Sequence, residues 1–301
     1  MMQEVAEVSR PTVSVITITF HDDEGLARTI ESVLMQSGNF DLEHIIVDGA
    51  GSPETIAIMR RLGSTACLIS EPDRGRYDAM NKGIRAARGD VLWFMNSGDS
   101  FAAPQAVQSA LDTMVDVRNE WGFGLQCNFV ADGSIRGVSV QRFPFSLWAL
   151  AVGALGAVVP HQATYFGADL VAEIGEYDLD LPIAADQLFI MQAAQIVEPR
   201  RCWQVVSHFG LTGIGSAMSL REYFAVMSEA RKKAGVRLTP WQTLDDLIVG
   251  YISTKTRVEA MFRRTAEYLL TPLIRRAEQV GPYQDEKTAT DPRSVGALVG
   301  I

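Results

Sequence analysis

Ser70-Glu71-Pro72-Asp73-Arg74-Gly75-Arg76-Tyr77-Asp78-Ala79-Met80-Asn81-Lys82-Gly83, followed closely by Val91-Leu92-Trp93-Phe94-Met95-Asn96-Ser97-Gly98-Asp99, decides how this chain is read. The first run is a loop that becomes a helix. Tyr77, Met80, Ile84 and Ala87 share one helical stripe, whereas Val91 to Met95 is a continuous apolar run of strand length that stops at a polar turn. A carboxylate, Asp99, is thereby delivered past the C-terminal end of a core strand. In open α/β sheets that edge is where loops converge and ligands bind.

Toward the N-terminus the same alternation recurs. Val13 to Ile18 reads as a buried strand, and Asp22 or Asp23 can cap a helix whose Leu26, Ile30, Val33 and Leu34 face inward. Leu42 to Val47 is a second strand ending in Asp48-Gly49-Ala50-Gly51. Ser52 and Pro53 signal the start of another helix, and Ala66 to Ile69 forms a third strand. Strands alternating with helices at this spacing predict parallel pairing with right-handed crossovers. Asp48, Asp73 and Asp99 then fall at one crevice, although each could equally serve only to cap its own turn.

Beyond Asp99 the pattern loosens. A helix is expected over 107–117, strand pieces over 123–139 around an Ala131-Asp132-Gly133 turn, and a strand over 158–166 that contains His161 and Gln162. Asp186 stands at a helix start, and 203–209 is a further strand running into the Gly213-Ile214-Gly215-Ser216 loop. Ser219 with Glu222 forms a capping box, Gly235 stops that helix, and Thr239, Pro240 and Gln242 open a long amphipathic run to about residue 280, with an interruption expected at Pro272. Residues 281–301 read as a mobile tail.

Composition narrows the function classes. The 301 residues are 47% hydrophobic and 21% charged, with a formal net charge of -9, which suits a globular α/β domain and argues against nucleic-acid binding. Cys67, Cys127 and Cys202 are odd in number and widely spaced, as in a reducing cytoplasm. The N-terminal ten residues have no apolar core, and the apolar stretch 143–160 is broken by Pro144, Gly153 and Gly156, so it reads as a buried or interfacial segment and not as a membrane span.

Asp73-Arg74-Gly75 with Tyr77-Asp78-Ala79-Met80-Asn81-Lys82-Gly83, an apolar strand and Asn96-Ser97-Gly98-Asp99 resembles the family 2 glycosyltransferases of bacterial surface-polysaccharide and glycolipid assembly. The likeness covers residues 11–105 closely and 158–216 loosely. It implies the GT-A type nucleotide-diphospho-sugar transferase fold, a mostly parallel central sheet flanked by helices, with a catalytic domain over 1–218 (nucleotide half 11–105, acceptor half 106–218) and a helical appendage over 219–280. It further implies that Thr17, Thr19, Asp48, Asp73, Arg74, Asn81 and Asn96 meet the nucleotide-diphosphate sugar donor, with Thr17 and Thr19 acting through their main chain. Asp99 takes the place of the metal-binding aspartate for Mn²⁺ or Mg²⁺, Asp186 that of the catalytic base in an inverting transfer, and His161 with Gln162 lies toward a glycan or lipid-linked acceptor.

The chain departs from the commoner pattern. Gly51 stands where Ser is usual, His21 where Asn is usual, and Asn96 and Gly98 replace acidic positions, so a metal ion should be held mainly together with the nucleotide. Asp178 and Asp180 are rivals to Asp186, and Arg76, Lys82, His208 and Ser216 are secondary candidates. Two other functions share parts of this pattern. A sugar-nucleotide nucleotidyltransferase is disfavoured because 17–22 lacks the glycine- and lysine-rich loop after the first strand, and a non-catalytic nucleotide-sugar-binding subunit fits the thinned 96–99 motif. In the long C-terminal run, Trp241, Leu244, Ile248, Tyr251, Ile252, Val258, Phe262 and Leu269 adjoin Lys255, Arg257, Arg263, Arg264, Arg275 and Arg276. Such a helix over 241–280 suits a peripheral contact with the inner face of an anionic membrane, or else a packing or homodimer contact.

Overall fold

The computed structural model describes residues 10–129, 134–141, 144–154, 156–210 and 218–279, with side chains described through Phe262. The expected turn at 131–133, the 213–216 loop, the 281–301 tail and the side chains of Arg263, Arg264, Leu269, Arg275 and Arg276 lie outside those residues. The chain forms two units, 1–253 and 254–301.

The first unit opens with three strand-helix pairs: β1 (Thr12–Thr19) and α1 (Asp23–Leu34), β2 (Asp41–Asp48) and α2 (Pro53–Leu62), β3 (Cys67–Ser70) and α3 (Arg76–Ala86), followed by β4 (Val91–Phe94). Local signals set the helix starts. Asp22 caps α1 by accepting from Gly25 N–H, and Ser52 caps α2 ahead of Pro53. Strands run in the order β3-β2-β1-β4, all parallel, so their C-terminal ends share one edge.

The chain continues through β5 (Ser100–Phe101), α4 (Ala106–Leu111), β6 (Trp121–Phe129), β7 (Ile135–Ser139), α5 (Leu147–Ala151), a 3-10 turn (His161–Ala163), β8 (Thr164–Gly167), α6 (Ala168–Ile174), α7 (Ala185–Ile196) and β9 (Arg200–Gly210). These strands extend the sheet as β4-β8-β6-β9-β5, with β7 on β6. Here most pairings reverse: β4 with β8, β6 with β8, β5 with β9 and β6 with β7 are antiparallel, and β6 with β9 is parallel. The sheet is therefore parallel in its nucleotide half and mixed as a whole. β8 begins only at Thr164, because Pro160 starts a 3-10 turn that takes His161 and Gln162 out of the expected strand. α4 ends at Leu111, short of the expected 117.

Strand alternation divides the core. Leu92 and Phe94 face a cluster with Tyr77, Met80, Phe166, Phe189 and Met227, while Val91, Trp93 and Met95 face another with Val107, Tyr165 and Val206. α3 lies close on β1 because Gly83 has no side chain: a Cβ there would stand 2.3 Å from Ile16 Cγ2. The apolar 143–160 segment contributes Leu150, Ala151 and Val159 to the first cluster, and among the described residues no helix is long and apolar enough to cross a membrane.

α8 (Leu220–Lys233) starts at the Ser219–Glu222 capping box and packs Phe224, Met227 and Ala230 inward, so the first compact unit extends past residue 218. α9 (Gln242–Gln279) begins in this unit, where buried Arg231 pairs with Asp245 at 3.3 Å and with Asp246 at 3.1 Å. The helix runs continuously through position 272, where an interruption was expected. Trp241 just before it and Leu247 and Tyr251 on its first part are exposed; in the second unit Val258 and Phe262 are exposed.

Candidate active site

The parallel order brings the loops after β1, β2, β3 and β4 to one edge, as the sequence predicts for Asp48, Asp73 and Asp99. The loops after β2 and β3 touch. A Cβ on Gly49 would lie 1.8 Å from Asp73 Oδ2, so glycine admits the Asp73 carboxylate against the β2 loop. Asp73 Oδ1 also accepts from Gly75 N–H at 2.9 Å, fixing the turn into α3.

Asp48, expected at the donor, holds the loop that follows β2. Its Oδ1 accepts from Ala50 and Gly51 N–H at 2.9 and 3.2 Å, and its Oδ2 accepts from Ser52 N–H at 2.8 Å and Thr55 Oγ1 at 2.9 Å. At 1% exposure the carboxylate is committed to shaping its own loop. Thr17 is likewise turned inward: it is fully buried, its Oγ1 is 3.0 Å from His44 Nε2, and its main chain lies within the β1 ladder. Thr19 carbonyl accepts from Gly49 N–H at 3.1 Å, which joins the β1 and β2 loops. Arg74 remains available, its side chain 77% exposed and paired with Asp78 at 3.2 Å.

The 96–99 turn is held by α1. Thr29 Oγ1 lies 2.6 Å from Asp99 carbonyl and accepts from Gly98 N–H at 3.2 Å, while Ser97 Oγ donates to Asp22 Oδ2 at 2.8 Å. Asp99 is buried, and that burial, with the charge of Asp22 nearby, pushes its carboxyl up to about 8 against hydrogen bonds from Gln162 and Gly210 N–H. Asn96 Oδ1 is buried with no hydrogen-bond partner. A desolvated carboxylate beside a second acid and an orphaned neutral oxygen fit a hard divalent cation. Among the described residues no group of three or more His, Cys, Asp or Glu could hold one by itself.

The acceptor half supplies Asp186 in the first turn of α7, directly after Ala184, whose φ of 68° is strained for a residue with a Cβ. Asp186 Oδ1 accepts from Tyr77 O–H at 3.1 Å and Oδ2 from Gln187 Nε2 at 3.2 Å. Its rivals are otherwise placed. Asp178 is ion-paired with Lys233 at 2.6 Å, and Asp180 is exposed.

Asn81, expected at the donor, latches onto the acceptor half: its amide exchanges two hydrogen bonds, 2.9 and 2.8 Å, with the Tyr177 backbone. His161 is buried, its Nε2 2.9 Å from Tyr177 Oη and its ring stacked on Phe94. Burial holds its imidazole below the usual range while the charge of Asp186 acts the other way. Gln162, expected toward the acceptor, reaches Asp99, and its carbonyl accepts from Trp93 Nε1 at 2.9 Å. One short turn, His161-Gln162, thus addresses both the Asp99 turn and the surroundings of Asp186.

Phe20 is a side chain that the motif does not single out. It follows β1, is 64% exposed, and its ring meets His21, itself at φ 51°, with centroids 4.6 Å apart. The available signal was an aromatic residue placed just past a strand end in the candidate crevice.

The chain matches the model of glycosyl transferase family 2 over residues 14–122. A Mycobacterium tuberculosis protein named as an uncharacterized glycosyltransferase is 45% identical over 228 residues, covering 74% of this chain and 83% of that one. Among solved structures, S. aureus TarS superposes with a TM-score of 0.56 at 14% identity over 80% of this chain, which spans 42% of TarS. The mannosyltransferase PcManGT of Pyrobaculum calidifontis, in complex with GDP-Man and Mn2+, gives 0.54 at 17% identity, covering 88% of this chain and 81% of that one.

Proposed function

The chain belongs to glycosyltransferase family 2, and from that premise we propose that it moves a sugar from a nucleotide-diphosphate donor to a hydroxyl of a glycan or lipid-linked acceptor, with inversion at the anomeric carbon. The observation that carries this reading is the His161-Gln162 turn: Gln162 meets Asp99, while His161 bonds Tyr177, whose ring stacks on the Tyr77 that donates to Asp186. Leaving-group chemistry and base chemistry then meet on either side of one turn.

In this reading Asp186 takes the proton of the acceptor hydroxyl as its oxygen attacks the anomeric carbon, and the bond to the diphosphate breaks with its electron pair leaving on the phosphate. Asp99, with Asn96 Oδ1, would hold Mn²⁺ or Mg²⁺ jointly with the donor. Such an ion neutralises charge on the departing diphosphate. PcManGT, a structural neighbour, was solved with GDP-Man and Mn2+, which supports that choice of group. Asp73 and the loop shaped by Asp48 receive the nucleoside, Phe20 offers its exposed face to the base, and Arg74, exposed and paired with Asp78, exchanges that partner for the diphosphate. The exposed apolar residues Trp241, Leu244, Leu247 and Tyr251 at the start of α9 support a peripheral contact of 241–280 with an anionic membrane on the cytoplasmic side, where lipid-linked acceptors are met.

Asp186→Asn tests the reading. Transfer in a panel of UDP- and GDP-linked sugars should fall by about 10² to 10⁴ with donor affinity unchanged. Transfer at the parental rate would place the base elsewhere and overturn the assignment.

A further inference from the structure

Two side chains of α3 reach across from the nucleotide half to the acceptor half. Tyr77 and Asn81 are one helical turn apart and share a face. Asn81 clamps the Tyr177 backbone through both ends of its amide, and Tyr77 donates its hydroxyl to Asp186 Oδ1 at 3.1 Å. The Tyr77 ring is not free to move. It is 7% exposed and stacked on Tyr177, with centroids 5.5 Å apart, while Tyr177 is itself packed against Phe94 and Phe189.

We propose that Tyr77 is a positioning residue for glycosyl transfer, fixing the rotation of the Asp186 carboxylate so that an oxygen faces the incoming acceptor hydroxyl. The proposal rests on Asp186 being the base. A carboxylate bound at only one atom can turn about its Cβ–Cγ bond. Here Tyr77 holds Oδ1, and Gln187 Nε2 holds Oδ2 while also donating to Val159 carbonyl at 3.0 Å. Each oxygen keeps a lone pair for the acceptor. A tyrosine suits the post because burial and the Asp186 charge raise its hydroxyl well above its ordinary range, so it stays a neutral donor throughout the working pH. The strained Ala184 backbone just before α7 belongs to the same fixation. Tyr77 also lies in the first turn of α3, two residues past the Asp73-Arg74-Gly75 loop, so the donor loop and the base are joined through one helix end.

The test is a double-mutant cycle on the full chain, with Tyr77→Phe, Asp186→Asn and the double variant, using whichever sugar nucleotide of a UDP- and GDP-sugar panel the parent transfers. Phenylalanine keeps the ring stack and removes only the hydroxyl. The expected result is a kcat lowered about tenfold to a hundredfold, the range for one hydrogen bond to a charged group, with donor KM within twofold and parental melting. In the Asp186→Asn background Tyr77→Phe should have no further effect. If Asp186→Asn is slow but Tyr77→Phe turns over at the parental rate, the base stands and the positioning role is lost. Equal losses from Tyr77→Phe in both backgrounds mean a general structural role and also overturn it. If Asp186→Asn is itself parental, the base assignment fails and the positioning role falls with it.

Discussion

Asp48→Asn separates two uses of a carboxylate at a strand end. In the structure four donors meet the Asp48 oxygens at 2.8 to 3.2 Å, three of them backbone N–H groups that cannot turn away. Asparagine keeps the shape but replaces one oxygen with an NH₂ group. The better orientation leaves the oxygen on Ala50 and Gly51 and sets the NH₂ toward Ser52 N–H and Thr55, whose hydroxyl can rotate to accept. Ser52 N–H is then left facing another donor in a buried turn. One lost charge-assisted bond and one unsatisfied buried N–H amount to about 2 to 3 kcal/mol. In a protein of this size that corresponds to a fall in Tm of roughly 3 to 6 °C. Thermal and urea unfolding of parent and variant at neutral pH measure it. A variant that melts with the parent but loses nucleotide-diphosphate affinity more than tenfold would refute the loop-shaping argument and return Asp48 to direct donor contact.

Asp99→Ala should remove metal-dependent nucleotide binding and turnover; a thermal shift by UDP or GDP that is the same with and without Mn²⁺ in the parent contradicts its role. His44 gives a pH dependence. Burial lowers its pKa from 6.5 to about 4, so the unfolded chain binds the proton first, and stability should fall by up to about 3 kcal/mol as pH drops from 6.5 to 4. Urea midpoints across that range measure the slope, and His44→Gln should flatten it. For α9, co-sedimentation with anionic vesicles at low ionic strength should be lost in high salt and in Leu247→Glu with Tyr251→Glu; a parent that ignores such vesicles points to a packing or dimer helix instead.

The parallel half of the fold was legible because its signals are local. Asp22, Ser52 and Pro53 set helix starts within three residues of their partners, and Val91 to Met95 carries the burial of a central strand in its own composition. The mixed half was less legible because direction of pairing is decided by distant segments: nothing in Thr164–Gly167 announces that it runs against β4. The same distinction separates position from role within the site. The residues of the motif do line one edge, but the partners of Asn81 and Thr17 lie 96 and 27 positions away. Their amide and hydroxyl are thus taken by Tyr177 and His44, contacts that spacing alone does not reveal.

The replacement of acidic residues by Asn96 and Gly98 has a physical reading once Asp22 is placed. Burial and the Asp22 charge already strain the ionised form of Asp99 in the absence of a cation. A further carboxylate at 96 would add like charge to the same turn, whereas an amide oxygen offers a hard ligand without it. With few protein charges, affinity for an ion held there as proposed would depend on the diphosphate that shares it. On the proposed reaction this couples the two: the ion binds well only with the donor, and its hold weakens when the nucleoside diphosphate leaves. Nucleotide and ion should therefore bind with positive, reciprocal coupling, and restoring an acid with Asn96→Asp should raise metal affinity in the absence of nucleotide while reducing that coupling.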